Sequence, residues 1–179
     1  MSIPFVSPFA VPTLGAAAVA EKLKSDNVYC IDCRTAEEQE LSIVNDAYTI
    51  EEFEQLQVDK DTAILVSYCT VGLRSGVYTS LLKSKGYNAF NSQGVIAFSH
   101  NSDIKFVDKF NKKTKAIHTF SSDFSKNIAT TYKATFFQSK LKEWYELILM
   151  VVWIFMNIFT ILRYIQFNNS DIIRSKKKQ

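Results

Sequence analysis

The amino-acid sequence predicts an α/β protein with an open, mostly parallel sheet flanked by helices, followed by one transmembrane helix near the C-terminus. Helical patterns alternate with short β-rich runs from residue 13 to about residue 100, which is typical of such sheets. Residues 62–68 (TAILVSY) form a nearly continuous apolar run, as in a strand buried on both faces of a parallel sheet. Residues 147–162 contain no charged side chain. These patterns place a globular domain before a hydrophobic anchor.

The individual elements follow from local signals along the chain. Thr13 is a candidate N-cap for the first helix, which begins with a run of alanines. Gly86 can adopt the left-handed conformation that ends a helix. The predicted helices are 16–24, 37–41, 51–56 and 75–85, and the predicted strands are 27–31, 62–68 and 87–91.

The uncharged stretch 147–162 (LILMVVWIFMNIFTIL) is interpreted as the centre of the transmembrane helix. About 20 residues are needed to span the hydrocarbon core, and flanking aromatic residues with Arg163 extend the usable span to residues 144–165. A buried core helix or an amphipathic helix that binds a partner is the alternative, and either predicts a polar stripe. Because no such stripe occurs at helical spacing, we expect contact with a lipid bilayer through residues 144–165.

The net charge of +3 is unevenly distributed along the chain. Residues 1–102 are net acidic, whereas residues 103–142 and 163–179 are net basic, which favours an anchored protein over a nucleic-acid binder. The basic middle stretch lacks a recognition motif, so no nucleic-acid partner is expected. Lys176 and Lys177 resemble a dilysine endoplasmic-reticulum retrieval signal, although a basic stop at anionic headgroups explains them equally well.

The cysteines exclude two classes of protein. Three cysteines in 179 residues do not make a disulfide scaffold, and Cys30-x-x-Cys33 has no second pair to close a zinc site. We therefore expect no metal site and interpret Cys30 and Cys33 as core residues, or residues that support the site, at a strand end; a resolving-cysteine role for either is the alternative. Unpaired cysteines favour a reducing compartment, so the domain is predicted to face the cytosol from a single-pass, C-terminally anchored position.

The segment after the apolar strand carries the chemistry. Cys69 stands at the strand end, and Gly72 and Arg74 lie in the turn before the next helix. In parallel sheets, ligands bind beyond the carboxyl ends of the strands. Successive backbone N–H groups and a helix N-terminus converge there and stabilise an anion or a thiolate. Although an isolated cysteine is usually an inert core residue, this spacing predicts a nucleophile in an anion cradle.

Three stretches of the chain resemble the rhodanese-like domain, the fold of the sulfurtransferases. Residues 31–38 (IDCRTAEE) resemble the family's Asp-x-Arg-x-x-Glu-Glu segment, and residues 69–75 (CTVGLRS) match its Cys-x-x-Gly-x-Arg-Ser active loop. Residues 86–98 resemble its closing strand and Gly-Gly-x-x-x-Trp motif, with Val95 in place of the second glycine and Phe98 in place of the tryptophan.

The resemblance also sets the predicted domain organisation. Residues 42–47 replace the family's usual His-Ile-Pro-Gly-Ala stretch, and residues 106–120 look like a C-terminal extension found in some single-domain members. Within that extension, His118 is interpreted as a surface or strand histidine. The predicted segments are an N-terminal segment 1–12, a rhodanese-like domain 13–137 (core 13–102, extension 103–137), a linker 138–143, the transmembrane helix 144–165 and a basic tail 166–179.

The function that the resemblance implies is sulfur transfer without a metal or an organic cofactor. Cys69 is the expected catalytic residue, taking sulfane sulfur from a small anionic donor such as thiosulfate and holding it as a persulfide for a thiol acceptor. Asp32 and Arg34 are expected to support the loop. The expected substrate-binding residues are Thr70, Val71, Gly72, Leu73, Arg74 and Ser75.

Two other functions fit the same loop less well. A membrane-tethered, non-catalytic rhodanese-like module would recruit a protein partner at the membrane, although that reading usually goes with a missing cysteine. A dual-specificity phosphatase of this family would have a loop one residue longer than the one between Cys69 and Arg74, so it is the least favoured.

Overall fold

A computed structural model describes the backbone of residues 11–176 and the side chains of residues 11–162. The predicted N-terminal segment, 1–12, lies outside these residues except for its last two. The side chains of the predicted tail, 166–179, also lie outside them, so the dilysine prediction falls beyond the described part of the chain.

The centre of the fold is a five-stranded sheet in which every pairing is parallel. Its strand order is β1-β6-β5-β2-β4, and two small sheets pair β3 with β7 and β8 with β9. The predicted open, mostly parallel sheet is therefore confirmed. The strands of the described residues are β1 (Thr13–Leu14), β2 (Val28–Asp32), β3 (Ile43–Val44), β4 (Tyr48–Thr49), β5 (Ile64–Tyr68), β6 (Asn88–Ser92), β7 (Phe106–Val107), β8 (Ala116–His118) and β9 (Lys133–Thr135).

The helices begin and end at the expected kinds of residue. Two short acidic helices start with reciprocal capping boxes, Thr35 with Glu38 and Thr49 with Glu52, which satisfy backbone donors at each N-terminus. Gly86, at φ +92°, ends the fourth helix. The helices are α1 (Ala16–Lys22), α2 (Ala36–Leu41), α3 (Ile50–Gln55), α4 (Leu73–Ser84), α5 (Gly94–Phe98), α6 (Ser122–Ser125) and α7 (Lys140–Lys176).

The seven elements predicted between residues 13 and 100 are all present, with no end displaced by more than two residues. The predicted N-cap at Thr13 is wrong, because Gly15 caps α1. Thr13 instead lies in β1, opposite Asn91 of β6. Thr13 adopts an extended backbone that pairs with β6 at the edge of the sheet, so the helix starts after Gly15.

Two buried clusters cover opposite faces of the sheet. Val66 and Tyr68 of β5 belong to one cluster, whereas Leu65 and Cys69 belong to the other, as the alternation of side chains along a strand requires. The segment 103–137 contributes Ile104, Phe106 and Ile117 to the first cluster. It is therefore packed on the sheet as part of the same hydrophobic core.

The C-terminal helix α7 contains a segment, Lys140–Leu162, that is long and apolar enough to cross a membrane. One side of α7 lies against α4, with Trp153 and Ile161 packed on the second cluster. Much of its surface nevertheless remains exposed: Phe155 and Met156 are 68% and 67% accessible. Large apolar side chains that share an exposed face are uncommon on soluble monomers.

Candidate active site

Cys69 lies directly after β5, at the carboxyl edge of the central sheet. Its sulfur accepts a hydrogen bond from the Gly72 backbone N–H at 3.2 Å and lies 3.6 Å from the Ser75 hydroxyl oxygen. The residue is buried, with 1% of its surface accessible. The structure thus brings the predicted nucleophile, loop and helix N-terminus together around one sulfur atom.

Gly72 shapes this loop through its backbone. It adopts φ +92°, and a Cβ there would lie 2.7 Å from the Ser92 carbonyl oxygen. Only glycine combines a left-handed conformation with so close an approach at little cost. The conformation directs the Gly72 N–H at Cys69 and starts α4 at the next residue.

Asn91, at the end of β6, fixes the loop from the neighbouring strand. Its amide nitrogen donates to the Gly72 carbonyl at 3.1 Å, and its amide oxygen accepts from the Ser75 hydroxyl at 2.7 Å. Ser75 is thereby held beside the sulfur of Cys69. Sequence reasoning placed Asn91 in a strand without a role; its position beside the loop depends on the β5–β6 pairing, which no short motif reveals.

The first turn of α5 holds the other side of the loop. The Val95 and Ile96 N–H groups donate to the carbonyls of Cys69 and Thr70 at 2.9 and 3.3 Å. A Cβ on Gly94, which has φ +80°, would lie 2.3 Å from the Cys69 carbonyl oxygen. The single glycine retained from the expected Gly-Gly pair is therefore the one that permits this close approach.

Arg74 is buried and faces a carboxylate. Its guanidinium donates to the two carboxylate oxygens of Glu38 at 2.7 and 3.0 Å, and to the Thr70 hydroxyl at 3.1 Å. The predicted contact between Arg74 and an anionic donor stays a prediction, because these bonds are made to the protein. These hydrogen bonds connect the loop to Glu38 in α2.

Glu38, like Asn91, is a site residue to which sequence reasoning gave no role. It is fully buried, and it also accepts from the Thr70 hydroxyl at 3.0 Å and from the Thr35 N–H at 3.0 Å. Burial by itself would raise the pKa of Glu38, but the charge and hydrogen bonds of Arg74, aided by Arg34, lower it to about 2. The Thr35-x-x-Glu38 capping box within residues 31–38 is the sequence signal that could have singled out Glu38.

Asp32 and Arg34 form a second buried ion pair below the loop. The Arg34 guanidinium donates to Asp32 at 2.8–3.1 Å and to the Ser42 carbonyl. The Tyr68 hydroxyl donates to Asp32 at 2.7 Å and accepts from the Val44 N–H at 2.9 Å. Since Tyr68 precedes Cys69, this network fixes the end of β5, which is the geometry that a loop-supporting role requires.

The remaining predicted residues line the loop or lie nearby. Thr70 is buried, whereas Val71 and Leu73 are half-buried and form the accessible rim. His118 lies in β8 as a buried residue, so it is a strand histidine and not a surface one. Its Nδ1 accepts from the Phe120 N–H at 3.2 Å, and burial lowers its pKa.

The three cysteines are free and buried. Cys30 belongs to the first core cluster and Cys33 to the second, which also contains Cys69. Among the residues that the structure describes, no group of three or more His, Cys, Asp or Glu side chains is placed to hold a metal ion.

No protein-family model matches the chain, and no curated protein sequence matches it significantly. Among solved structures, it is similar to a rhodanese-like domain protein from Staphylococcus aureus, with 23% identity and a TM-score of 0.44 over 52% of this chain and 96% of that one. It is also similar to SSP1007 from Staphylococcus saprophyticus (28% identity, TM-score 0.40, 46% and 87% of the two chains). A thiosulfate sulfurtransferase from Pseudomonas aeruginosa matches with 18% identity and a TM-score of 0.48, over 65% of this chain and 23% of that one.

Proposed function

We propose that the chain is a membrane-anchored sulfurtransferase in which Cys69 carries sulfane sulfur as a persulfide. One observation carries the proposal: the Cys69 sulfur lies at the carboxyl end of a central parallel strand, 3.2 Å from the Gly72 N–H and 3.6 Å from the Ser75 hydroxyl. The Gly72 N–H is a hydrogen-bond donor to a thiolate, which is the nucleophilic form of cysteine; the Ser75 hydroxyl donates its proton to Asn91 and lies beside the sulfur as a polar neighbour.

In the first half-reaction the Cys69 thiolate attacks the outer sulfur of a small anionic donor such as thiosulfate. A sulfur–sulfur bond forms to Cys69, the sulfur–sulfur bond of thiosulfate breaks, and sulfite leaves with the electron pair. The product is a Cys69 persulfide anion, and the loop donors are placed to stabilise its charge.

In the second half-reaction a thiol acceptor, as its thiolate, attacks the outer sulfur of the persulfide. The bond to Cys69 breaks and the Cys69 thiolate is regenerated, so covalent catalysis is complete in two displacements. The half-buried Val71 and Leu73 form the rim over which donor and acceptor would approach.

Arg74 and Glu38 act as positioning residues in this proposal. Their ion pair is buried, and Thr70 bonds to both partners. The pair therefore holds the loop backbone in the conformation that directs the Gly72 N–H at Cys69. The positive charge of Arg74 is also close enough to favour an anion in the cradle.

The membrane anchor is the second part of the proposal. We assign residues 13–137 to the catalytic domain, 138–143 to a linker that overlaps the start of α7, 144–165 to a spanning helix and 166–179 to a basic tail, with the domain in the cytosol. The exposed apolar face of α7, which includes Ile148, Val152 and Phe155, supports insertion into lipid; spanning the bilayer would require the helix to leave its packing on α4 at Trp153 and Ile161.

A direct test measures sulfur on Cys69. Full-length protein in detergent micelles, treated briefly with thiosulfate without an acceptor and quenched at once, should gain one sulfur atom on the peptide that contains Cys69. Cys69→Ser should abolish this gain. Cys30→Ser is the matched control, because Cys30 is equally buried but lies on the other face of the sheet, and it should leave loading intact.

A tethered, non-catalytic binding module is the second candidate. It is favoured by the engagement of Arg74 with Glu38, which leaves the guanidinium bonded to the protein. If Cys69 reacts with alkylating agents but never gains sulfur from thiosulfate, the binding module is the better description.

A further inference from the structure

Cys33 and Cys69 occupy adjacent positions at the ends of neighbouring strands. The β2–β5 pairing runs in register to Asp32 opposite Tyr68. The Cys33 N–H then donates to the Tyr68 carbonyl at 2.8 Å, which continues the ladder by one residue. The next registered pair is therefore Cys33 with Cys69.

The two thiols also face the same side of the sheet. Asp32 and Tyr68 are hydrogen-bonded on one face, so the residues that follow them point to the other. Cys33 and Cys69 accordingly share the second core cluster, whereas Cys30 lies in the first. The Cys33 thiol is 4.0 Å from the Ile31 carbonyl oxygen, a weak hydrogen bond.

Registered residues on neighbouring strands are about 4.8 Å apart, within the range of about 4.4–6.8 Å between the Cα atoms of a disulfide. Both cysteines lie one residue beyond their strands, where the backbone is less constrained by the ladder. The distance and the shared face therefore permit a bond between the two sulfurs.

We propose that Cys33 is a resolving thiol for Cys69, displacing the group that Cys69 carries and closing an intramolecular disulfide. When the displaced group is the outer sulfur of the persulfide, this inference rests on the proposed sulfur transfer. The Cys33 sulfur attacks the Cys69 sulfur, the bond to the outer sulfur breaks, and the outer sulfur takes the electron pair. The Cys33 proton leaves with it, so a thiol and a persulfide give one disulfide and one hydrogen sulfide.

Burial of Cys33 makes its attack on the persulfide slower than transfer of the sulfur to an acceptor thiolate. Burial, reinforced by the nearby Cys69 and Asp32, raises the pKa of Cys33 well above its ordinary value, so Cys33 is a protonated thiol at neutral pH. An acceptor thiolate therefore removes the sulfur first when one is present. Without an acceptor, Cys33 discharges the persulfide and protects Cys69 as a disulfide, which a thiol reductant reopens.

The test compares full-length wild type, Cys33→Ala and Cys30→Ala in detergent micelles. Each is loaded with thiosulfate without an acceptor, held for a prolonged incubation in which the slow discharge can proceed, then alkylated and digested under non-reducing conditions. Wild type and Cys30→Ala should yield a peptide pair joined through Cys33 and Cys69 and should release about one equivalent of sulfide. Cys33→Ala should keep its sulfur on Cys69 and release sulfide at least about tenfold more slowly.

A second arm replaces thiosulfate with hydrogen peroxide, which converts the Cys69 thiolate to a sulfenic acid with release of hydroxide; attack by Cys33 then expels water. A linked pair after peroxide, together with no sulfur loading in any variant, supports the resolving thiol and refutes the proposed sulfur transfer. Wild type that keeps its persulfide, with Cys33 alkylated in both arms, overturns the resolving role.

Discussion

Glu38→Gln should destabilise the domain severely and disable the loop, because it leaves the Arg74 charge buried without a carboxylate. The pKa of Glu38 falls from 4.5 to about 2 in the folded protein, which corresponds to roughly 3 kcal/mol at neutral pH. Removing one partner of a buried ion pair costs about 3–5 kcal/mol in general. Both figures are a large fraction of the roughly 5–15 kcal/mol that stabilises a typical domain.

The assay is thermal unfolding of the full chain in detergent, followed by circular dichroism, with sulfur loading from thiosulfate measured in parallel. For a domain of this size, Tm should fall by about 10–20 °C. Glu37→Gln is the matched control: Glu37 is half-exposed and pairs with Lys142 at the surface, so its loss should cost at most about 1 kcal/mol. Equal Tm values for the two variants would refute the reasoning that Glu38 balances a buried charge.

Three further measurements test the pH dependence of the Glu38 contribution, the Gly94 contact and the membrane helix. The pKa of Glu38 is lower in the folded protein than in the unfolded chain, so the unfolded state binds the proton first as the pH falls. The difference in Tm between wild type and Glu38→Gln should therefore be largest above about pH 5 and shrink as the pH falls towards 2. A difference that stays constant with pH would contradict this. Gly94→Ala should lower Tm and abolish sulfur loading, since its Cβ would meet the Cys69 carbonyl at 2.3 Å, whereas Gly86→Ala, at φ +92° with no atom within 4 Å, should cost only about 1–2 kcal/mol of backbone strain and load normally. Phe155→Arg should raise the fraction of the full chain that alkaline carbonate extracts from membranes, because a charge at the centre of a spanning helix costs about 3 kcal/mol or more; release of the wild-type chain into the supernatant would contradict a spanning helix.

Three strands of the central sheet, β2, β5 and β6, could be predicted because their signals are local, whereas the two-residue strands β1 and β4 carry no such signal and were not predicted. The apolar run before Cys69 reports a strand buried on both faces, and Gly86 ends α4 in the left-handed conformation. Thr13 shows where local signals fail: it has the chemistry of an N-cap, but pairing with Asn91 decides its conformation.

The candidate site could be predicted only for the residues that are contiguous in sequence. Cys69, Gly72 and Ser75 lie within one loop, and their spacing alone places them around one point. Glu38 and Asn91 reach the loop through long-range pairing, so their roles emerge only in the folded chain. The same applies to Cys33, whose proximity to Cys69 depends on the register of β2 against β5.

The central claim is that Cys69 accepts the outer sulfur of an anionic donor. Thiosulfate labelled with radioactive sulfur in either the outer or the inner position, incubated briefly with full-length protein and followed by peptide mapping, tests it most directly. The proposed mechanism predicts label on the Cys69 peptide from outer-labelled thiosulfate only, and its release when a thiol acceptor is added. Label that appears equally from the inner position, or that persists in Cys69→Ser, would contradict sulfur transfer through Cys69.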